Sequence, residues 1–570
     1  MAPTVKRTAE GIIYQPAKVL DVPDVDLTTL LFESETCRVP GDTIIHADAD
    51  EPSNHLTKTR LIQQSKKVAQ VLRDQYGIGA GGPNQDVVSL ISTGHFMIPL
   101  IFHGTIIAEG IFAPTSATAT VSEYTYQLQA TNAKLIICAP ATQAVALAAA
   151  QKTGLSPRNV LLFSNNSSNN TIAFREAFSG ALLPIPNPST SGLDWRRITA
   201  RAALEQTTAS LLFSSGTTGL PKALGLSHRN MVAACALNAE PTRAYYASRR
   251  RRPVSLAHLP VAHIAGVQSY LANAAYLGAT CYWMPRFEFA SMCAHARRHG
   301  VTSLFTVPPV WLLIAKAPFV GDSFAACEEA ISGAAPMGEG LQVEAGRKLG
   351  GGRVRVRQTW GLSETCGSVT TVPLDQAESA PPGSVGTLVA NCEARLVDDD
   401  EKDVAPGERG EIWVRGPVVM RGYWHNDEAN RDAFRPGGWF RTGDIGVFRD
   451  DWLFIVDRKK ELIKYKGNQV APAELEAILL SNPKILDAAV IGVPGDGTEV
   501  PRAYVVVADR TKTTAEDIIQ WFDEQGLARY KKLRGGVVFI DAIPKTASGK
   551  ILRKTLRDMA KQERGSSSKL

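Results

Sequence analysis

The feature that most constrains the fold is an alternation of helical periods with short apolar runs over residues 60–210. Val68–Gln75 has the period of a helix, whereas Val87–Ser92, Lys134–Cys138 and Asn159–Phe163 are apolar runs of strand length, separated by helix-length segments. Strands that are apolar along their whole length are typical of parallel sheets, because helices cover both faces. The sequence therefore predicts an α/β fold with doubly wound, mostly parallel sheets.

A second region has a different pattern. Residues 385–456 contain short strand-like runs, such as Glu411–Val414 and Trp452–Val456, between turns such as Pro406–Gly407 and Gly437–Gly438. Short strands separated by Gly and Pro turns indicate a compact β unit. We therefore expect a β subdomain at the end of a large N-terminal domain.

The chain becomes richer in lysine beyond Arg458, and a small α+β unit is predicted there. Its predicted elements are helix Pro472–Leu480, strand Asp487–Val493, strand Arg502–Ala508 and helix Thr514–Gln525. The expected domains are a large one over residues 1–458 and a small one over residues 459–565, with a boundary near residues 458–461.

Composition excludes several classes of protein. Hydrophobic residues make up 44% and charged residues 21% of the 570, close to the globular average, so the chain is not largely disordered. The net charge of +6 is small for this length and does not suggest a nucleic-acid partner, which would require clustered basic stripes. The eight cysteines occur singly, so neither a zinc knuckle nor a disulfide framework is indicated.

The most apolar stretch is Val87–Phe112, but it does not read as a membrane span. Polar or helix-breaking residues interrupt it at Gly94, His95, Pro99, His103, Gly104, Glu109 and Gly110. Because about 20 unbroken apolar residues are needed to cross a bilayer, a buried strand–helix–strand unit is predicted instead, with no transmembrane segment. The N-terminus lacks the apolar region of a secretory signal, so a reduced intracellular protein is expected.

The C-terminal tail, residues 566–570, contains a predicted targeting signal. Ser568-Lys569-Leu570 is the peroxisomal S-K-L tripeptide, and it follows a polar, serine-rich segment that a receptor can reach. The sequence therefore predicts a peroxisomal location, with the peroxisomal import receptor as a partner.

A glycine-rich loop follows the apolar run Ala209–Phe213. It reads Ser214-Ser215-Gly216-Thr217-Thr218-Gly219-Leu220-Pro221-Lys222. Two glycines let backbone N–H groups approach phosphate oxygens, four hydroxyls can donate and Lys222 adds a cation, so the loop suits a polyphosphate. It is not a Walker A loop, since G-x-x-x-x-G-K-[ST] is absent and Pro221 would not continue a helix.

This loop resembles the phosphate-binding signature TSGTTGxPKG of the adenylate-forming superfamily, with Ser214 for the first Thr and Ala223 for the last Gly. The superfamily includes acyl- and aryl-CoA synthetases, coumarate–CoA ligases, firefly-type luciferases and peptide-synthetase adenylation domains. Its other motifs follow in the same order and span roughly residues 60–555. The matching segments are Leu259–His263, Ser332–Pro336, Thr359–Thr365, Thr442–Asp444, Asp457–Gly467 and Pro544–Arg553.

The resemblance implies a nucleotide site in the large domain. The residues implied to bind ATP or AMP are Ser214, Ser215, Gly216, Thr217, Thr218, Gly219, Lys222, Gly333, Ala334, Ala335, Pro336, Thr359, Trp360, Gly361, Ser363, Asp444 and Arg458. Among them Trp360 is implied to stack near adenine, Ser363 to contact the α-phosphate and Asp444 to bind the ribose hydroxyls. Glu364 is implied to hold Mg²⁺, an ion that prefers hard oxygen ligands.

The resemblance also implies a mobile small domain that serves two half-reactions. Lys550 is the implied catalytic lysine of adenylate formation, and Lys460 is the implied hinge. Rotation about that hinge would remove Lys550 and bring Lys464, Lys466 and Gly467 to the active site, where the thiol of coenzyme A attacks the acyl carbon. Three further cations, Arg529, Lys531 and Lys532, either contact the CoA phosphates or form a solvated basic turn.

The implied activity is an ATP-dependent acid–CoA ligase that forms an acyl-adenylate, releases pyrophosphate and then makes a thioester. Two alternatives share these motifs: a luciferase-like oxygenase, and an adenylating enzyme that loads a carrier protein. A nucleotide-binding scaffold without catalysis would be expected to lack Lys550 or Glu364. No carrier domain follows residue 550, which favours coenzyme A.

The predicted acyl pocket surrounds His263. Ala262 and Ala265 flank this histidine, and Ile331 stands just before the SGAAP segment, where the coumarate ligases usually place a lysine. Small and apolar walls make recognition of a para-hydroxyl group doubtful. They favour a hydrophobic acid, aryl or medium-chain, used in β-oxidation-like or specialised metabolism.

Overall fold

The computed structural model describes residues 4–8, 10–16, 18–166, 170–184, 191–214, 220–495, 497–546 and 549–567, with side chains described as far as residue 563. Two predicted features lie outside the described residues. They are the loop residues Ser215, Gly216, Thr217, Thr218 and Gly219, and the tail Ser568–Leu570.

An eight-stranded sheet forms the first layer of the large domain. Its strands, in spatial order, are Gly422–Tyr423, Ala223–Ser227, Thr208–Phe213, Ile111–Thr115, Val87–Ile91, Ala133–Cys138, Val160–Asn166 and Thr171–Glu176. The five strands from Thr208–Phe213 to Val160–Asn166 are parallel, and the outer ones pair antiparallel. The mostly parallel sheet predicted from the apolar runs is confirmed, as is the α/β fold class.

Helices Ile98–Ile107, Val121–Thr131 and Gln143–Thr153 pack against this sheet, and helix Lys58–Tyr76 packs against Ile98–Ile107. Every residue of Ile98–Ile107 is buried, and so is every residue of the strands Val87–Ile91 and Ile111–Thr115 on either side. The stretch Val87–Phe112 thus belongs to a buried strand–helix–strand unit that ends at Thr115, as predicted. Among the described residues, no helix has the length and apolar character needed to cross a membrane.

Two further sheets form the second layer. The five-stranded sheet contains Ser303–Thr306, Glu329–Ser332, Val356–Leu362, Gly367–Thr371 and Thr387–Leu388, and the four-stranded sheet contains Val254–Ala257, Thr280–Trp283, Ile44–Asp48 and His55–Thr57. The α-helices in this part of the chain are Leu27–Glu33, Arg201–Gln206, His228–Ala234, Glu240–Ser248, Ile264–Gly266, Asn273–Leu277, Phe289–His299, Pro308–Lys316 and Glu339–Gly346. Strand Val356–Leu362 begins shortly after the glycine-rich turn Gly350–Gly352, which is capped by Arg353.

The β subdomain is an antiparallel sheet that includes the N-terminus of the chain. Its strands are Thr4–Thr8, Gly11–Gln15, Glu393–Val397, Gly410–Arg415, Trp439–Arg449, Phe434–Arg435 and Trp452–Arg458, and helix Asp427–Ala433 lies beside them. Tyr14 pairs with Ala394, so the hairpin Thr4–Gln15 extends a sheet formed some 380 residues later. The sequence predicted the later strands but not this pairing.

The small domain has a sheet and a core of its own. Strands Ile485–Pro494, Glu499–Val507 and Val537–Phe539 form the sheet, hairpin Ile463–Tyr465 and Asn468–Val470 stands beside it, and the helices are Pro472–Ser481, Ala515–Asp523 and Arg553–Ser567. Its core residues, among them Leu475, Val490 and Phe522, form a cluster separate from that of the large domain. The α+β unit predicted beyond Arg458 is confirmed. Its junction with the large domain includes Lys316, whose Nζ donates to the carbonyl oxygens of Leu480 and Ile485 at 3.3 and 2.6 Å.

Cysteines contribute to the cores of the large domain. All eight are buried and free: Cys37, Cys138, Cys235, Cys281, Cys293, Cys327, Cys366 and Cys392. They behave as small apolar side chains, since burial raises the pKa of the thiols, that of Cys281 to about 12.

Candidate active site

The two ends of the predicted phosphate loop are held together. Ser214 follows strand Thr208–Phe213, and its N–H donates to the carbonyl of Lys222 at 2.9 Å, while the N–H of Lys222 donates to Oγ of Ser214 at 3.1 Å. The hydroxyl of Tyr126 donates to the carbonyl of Pro221 at 2.8 Å. The loop therefore starts at the carboxyl end of a parallel strand, the edge at which open α/β sheets bind ligands.

Glu364 lies in a turn at the end of strand Val356–Leu362 and is only 9% exposed. Its carbonyl accepts an N–H from Met420 at 2.7 Å, and its Oε1 accepts the hydroxyl of Tyr423 at 3.1 Å. Nζ of Lys222 stands 5.1 Å from the centroid of the Tyr423 ring. Burial and the negative charge of Glu364 raise the pKa of Tyr423, so the phenol remains a donor.

Asp444 is the centre of a second polar cluster. Oδ2 accepts the indole N–H of Trp360 at 2.8 Å, and Nε of Arg458 forms an ion pair with Oδ1 at 3.2 Å. Asp444 and Arg458 are also partners in the ladder between strands Trp439–Arg449 and Trp452–Arg458. Two sheets thus bring three of the predicted nucleotide residues together, and the Asp444 side chain is oriented from both sides.

The segment Ser332–Pro336 reaches the same edge because strand Glu329–Ser332 is parallel to its neighbours on both sides. A Cβ on Gly333 would stand 3.1 Å from the Phe305 ring and 3.2 Å from Cγ2 of Thr359, so the backbone here approaches its neighbours closely. Ala334 has a φ of +71°, a region that residues with a Cβ rarely adopt. This turn places the predicted residues Gly333, Ala334, Ala335 and Pro336 at the carboxyl end of strand Glu329–Ser332.

Two of the predicted residues next to Trp360 serve the sheet itself. The hydroxyl of Thr359 donates to the carbonyl of Thr370 at 2.6 Å, which ties strand Val356–Leu362 to the next strand. A Cβ on Gly361 would stand 1.8 Å from the carbonyl oxygen of Gly367, so only glycine fits. Ser363, which follows, begins the turn that carries Glu364.

Lys550 reaches this cleft from the small domain. A Cβ on the preceding Gly549 would stand 3.1 Å from Cγ of Pro309, so the loop lies on the first turn of helix Pro308–Lys316. Burial lowers the pKa of Lys550 to about 8; Arg458 lowers it further, and the carboxylates of Glu364 and Asp444 act in the opposite sense. The charges of both carboxylates and of Arg458 thus act on the Lys550 ammonium.

His263 faces the same lysine from the predicted acyl pocket. Burial, with the charge of Lys550 as a second cause, lowers the pKa of His263 to about 3, so the imidazole is neutral. Its Nδ1 accepts the N–H of Ala265 at 3.2 Å, which leaves Nε2 for the proton. Ala262, Ala265 and Ile331 are all half-buried, and Ile331 lies on strand Glu329–Ser332, paired with Phe305 on one side and Arg357 on the other.

The predicted CoA face does not reach the cleft in this arrangement. Lys464, Lys466 and Gly467 are exposed on the hairpin Ile463–Val470, where Lys464 and Lys466 donate backbone N–H groups to Glu499 and Thr498 at 2.9 and 2.8 Å. The basic turn is partly neutralised, because Lys531 and Lys532 form ion pairs with Glu474 and Asp523, whereas Arg529 is exposed. Lys464, Lys466 and Gly467, which the resemblance implies for the second half-reaction, are therefore exposed in this arrangement.

The predicted hinge lies next to the nucleotide cluster. Lys460 is exposed, yet partial desolvation by the surrounding protein lowers its pKa, with a further contribution from the charge of Arg458. Before it, Asp457 is buried and accepts the N–H of Ala473 at 2.9 Å. The side chain of Asp457, in the last strand of the large domain, thus contacts the first helix of the small one.

Two family models match the chain. One describes AMP-binding enzymes and matches residues 32–424, and the other describes the C-terminal domain of AMP-binding enzymes and matches residues 474–550. The chain belongs to the AMP-binding enzyme family. The adenylate-forming superfamily expected from the order of the motifs is confirmed.

Relatives in this family match over the whole chain. A protein of Emericella nidulans named as an acyl-coenzyme A synthetase is 41% identical over 98% of this chain and 100% of its own length. A phenylacetyl-CoA ligase of Aspergillus niger is 32% identical over 96% and 99%. The crystal structure of an anthranilate CoA ligase with anthranoyl-AMP has the same fold, with a TM-score of 0.79 at 21% identity over 96% of this chain and 99% of that one. The chain is thus an AMP-forming acyl-CoA ligase.

Sequence reasoning missed Tyr423, the residue that joins Lys222 to Glu364. Tyr423 and Glu364 are 59 positions apart, and Tyr423 reaches the site because Gly422–Tyr423 pairs with strand Ala223–Ser227 at the sheet edge. A two-residue strand has no periodicity to detect. No local signal in the sequence could have identified it.

Proposed function

We propose that this ligase joins a hydrophobic carboxylic acid, aryl or medium-chain, to coenzyme A through two displacements at one site. The observation that carries the proposal is the burial of Lys550 of the small domain, whose pKa is influenced by the charges of Arg458, Glu364 and Asp444 of the large domain. A cation at this position would stabilise the negative charge that develops while the adenylate forms. Afterwards it would block the approach of the coenzyme A thiol. The proposal therefore includes a movement of the small domain between the two steps.

In the first displacement a carboxylate oxygen of the acid attacks the α-phosphorus of ATP. The new C(O)–O–P bond forms while the bond to the bridging oxygen breaks and pyrophosphate leaves. Lys222 and the loop after Ser214 would hold the β- and γ-phosphates, and Asp444 would accept hydrogen bonds from the ribose. Lys550 would stabilise the negative charge shared by the acid and the α-phosphate, which is the role of a preorganised cation.

Glu364 fits a Mg²⁺ ion that arrives with ATP. No group of three or more His, Cys, Asp or Glu side chains suited to a metal occurs within the described part of the chain. Mg²⁺, however, is commonly bound by one or two carboxylates together with substrate phosphates, and Tyr423 occupies only one oxygen of Glu364. When bound, the ion would neutralise phosphate charge.

In the second displacement the sulfur of coenzyme A attacks the acyl carbon and AMP leaves. Rotation about Lys460 would withdraw Lys550 and bring the exposed Lys464, Lys466 and Gly467 to the cleft. Closure of either kind excludes water from an adenylate that would otherwise hydrolyse. The neutral His263 would line the path to the acyl carbon.

The acid itself is inferred from the walls of the pocket. Ala262 and Ala265 leave room beside His263, and Ile331 offers no polar group to a substrate substituent. The names of two similar proteins, a phenylacetyl-CoA ligase and an anthranilate CoA ligase, support an aryl acid. Medium-chain acids remain within the proposal because the same walls are apolar.

We also infer a peroxisomal location from Ser568-Lys569-Leu570. A fluorescent protein fused to the N-terminus of the full chain should enter peroxisomes, and the same fusion without these three residues should stay outside. If both fusions entered peroxisomes to the same extent, the tripeptide would not be a targeting signal.

The test of the activity is pyrophosphate release from ATP across a panel of carboxylic acids, each with and without coenzyme A. Acid-dependent release that passes one turnover only with coenzyme A is expected, strongest for hydrophobic acids. Release that coenzyme A does not change would point instead to a carrier protein or to oxygen as the second reactant, and light emission with an added luciferin would separate these two.

A further inference from the structure

Tyr423 contacts two charged groups of the proposed site at once. Its hydroxyl donates to Oε1 of Glu364 at 3.1 Å, and its ring lies under the ammonium of Lys222 at 5.1 Å. We propose that Tyr423 is a positioning residue that fixes the Glu364 carboxylate and the Lys222 ammonium relative to each other, and so sets the geometry in which metal-bound ATP is held. This inference rests on the proposed function, because both groups act there on the polyphosphate.

The backbone of Tyr423 is fixed at the exit of the phosphate loop. Tyr423 pairs with Leu224, and the N–H of Trp424 donates to the carbonyl of Ala223 at 2.8 Å, one residue beyond Lys222. On the other side the N–H of Tyr423 donates to Oδ1 of Asn430 at 2.6 Å, and the amide of Asn430 donates back to the carbonyl of Tyr423 at 3.0 Å. The ring is therefore anchored to the loop and to the β subdomain.

The same segment is bound to the turn that carries Glu364. The N–H of Met420 donates to the carbonyl of Glu364 at 2.7 Å, three residues before Tyr423. Main-chain and side-chain bonds thus join one short segment to both Glu364 and the loop. If the end of the phosphate loop at Lys222 moved relative to Glu364, at least one of these bonds would have to be distorted. The segment therefore fixes the distance between the Glu364 carboxylate and the Lys222 ammonium.

The two functional groups of Tyr423 act separately. The phenol hydrogen bond orients the carboxylate, so that its second oxygen is presented in one direction, and hydrogen bonds to charged groups are strong enough to do so. The ring face attracts the lysine ammonium by a cation–π interaction, which limits the positions that a flexible four-carbon side chain can take. Phenylalanine keeps only the second function, whereas leucine keeps neither.

The experiment compares Tyr423→Phe and Tyr423→Leu with the wild-type chain. Binding of Mn²⁺ in the presence of α,β-methylene-ATP is followed by electron paramagnetic resonance, and binding of the same analogue without metal is followed by calorimetry. For Tyr423→Phe we expect Mn²⁺ affinity to fall about 10-fold, with metal-free nucleotide affinity within about 2-fold, since only the bond to the carboxylate is lost. For Tyr423→Leu we expect metal-free affinity to fall as well, by about 3-fold or more.

Two controls separate positioning from general damage. Thioester formation from preformed acyl-adenylate involves no polyphosphate, so both variants should retain it. Tyr245→Phe, in helix Glu240–Ser248, is a matched control. The hydroxyl of Tyr245 also lies 3.5 Å from a glutamate, Glu328, and its ring lies 3.7 Å from the guanidinium of Arg249. This variant should equal the wild type in every assay.

Unchanged Mn²⁺ affinity in Tyr423→Phe would overturn the inference, and so would an equal loss of thioester formation, which indicates a structural role. The Mn²⁺ titration needs no acid substrate. A wild-type chain that binds Mn²⁺ with the nucleotide analogue but activates no acid would therefore count against the proposed function alone.

Discussion

The indole N–H of Trp360 donates to Oδ2 of Asp444 at 2.8 Å, while Nε of Arg458 lies 3.2 Å from Oδ1 of the same carboxylate. Trp360 comes from the five-stranded sheet, and Asp444 and Arg458 come from the β subdomain. The proposed ribose ligand is thus oriented by two different sheets before any nucleotide binds. Preorganisation of this kind reduces the entropy lost when a ligand is bound.

Removing the Asp444 charge should weaken ATP binding. We expect Asp444→Asn to raise KM for ATP about 10- to 100-fold, because hydrogen bonds to a charged group contribute about 1.5–3 kcal/mol. Trp360→Phe should raise it less, about 3- to 10-fold, since Arg458 still orients the carboxylate. Acid-dependent ATP–pyrophosphate exchange measures both. Trp521→Phe in the small domain is the control, and an unchanged KM in Asp444→Asn would exclude a ribose contact.

Lys550 should matter for one half-reaction only. We expect Lys550→Ala to slow adenylate formation about 100- to 1,000-fold, the effect of removing one group that stabilises a developing charge. Thioester formation from preformed adenylate should be retained, because Lys550 has left the site by then. The exposed Lys554, four residues on, supplies the control Lys554→Ala. Parallel loss of both half-reactions would contradict the division of roles.

The pKa of Lys550, lowered by burial to about 8, predicts a pH dependence. The lysine is charged below this pKa and loses its proton as pH rises through it, so kcat/KM for ATP should decrease above about pH 8. Thioester formation from preformed adenylate should not show this decrease. In Lys550→Arg the guanidinium stays charged, and the profile should remain flat to higher pH even though the rate is lower. A wild-type profile that is level up to pH 10 would argue against the lysine as the titrating group.

A substitution at the hinge should have the opposite effect to Lys550→Ala: it should slow thioester formation and leave adenylate formation nearly unchanged. Proline fixes φ, so Lys460→Pro restricts the rotation that the second step requires. We expect adenylate formation within about 3-fold of the wild type and thioester formation at least about 10-fold slower, as for other gating residues. Rapid-quench measurement of each half-reaction provides the test. Equal slowing of both would place the pivot elsewhere.

Much of the large domain was predictable because local pattern and tertiary environment agree. Val87–Ile91 is apolar at every position but Ser89, and the structure buries it between helices. Glu364 was predictable for a related reason: it follows strand Val356–Leu362, and this strand and its parallel neighbour Glu329–Ser332 deliver their ends to one edge. Loop chemistry and strand pattern together indicated the cleft.

The remainder depends on pairings between distant segments. Nothing in Gly11–Gln15 indicates that it pairs with Glu393–Val397, and nothing in Gly422–Tyr423 indicates the phosphate loop as its neighbour. Thr359 illustrates the converse: its place in a motif implied a nucleotide contact, whereas its hydroxyl bonds to the next strand. Motifs identify a segment, but the direction of each side chain depends on the sheet around it.

The burial of all eight cysteines has a consequence for an enzyme that makes a reactive acyl donor. A thiolate on the protein would compete with coenzyme A for the acyl group, and self-acylation would consume both enzyme and substrate. Cys366 lies only two residues from Glu364, yet it is fully buried, and burial raises the pKa of its thiol well above the usual range. The protein thus keeps all of its own cysteine thiols away from the acyl-adenylate, which is a mixed anhydride, so that coenzyme A supplies the thiol that reacts.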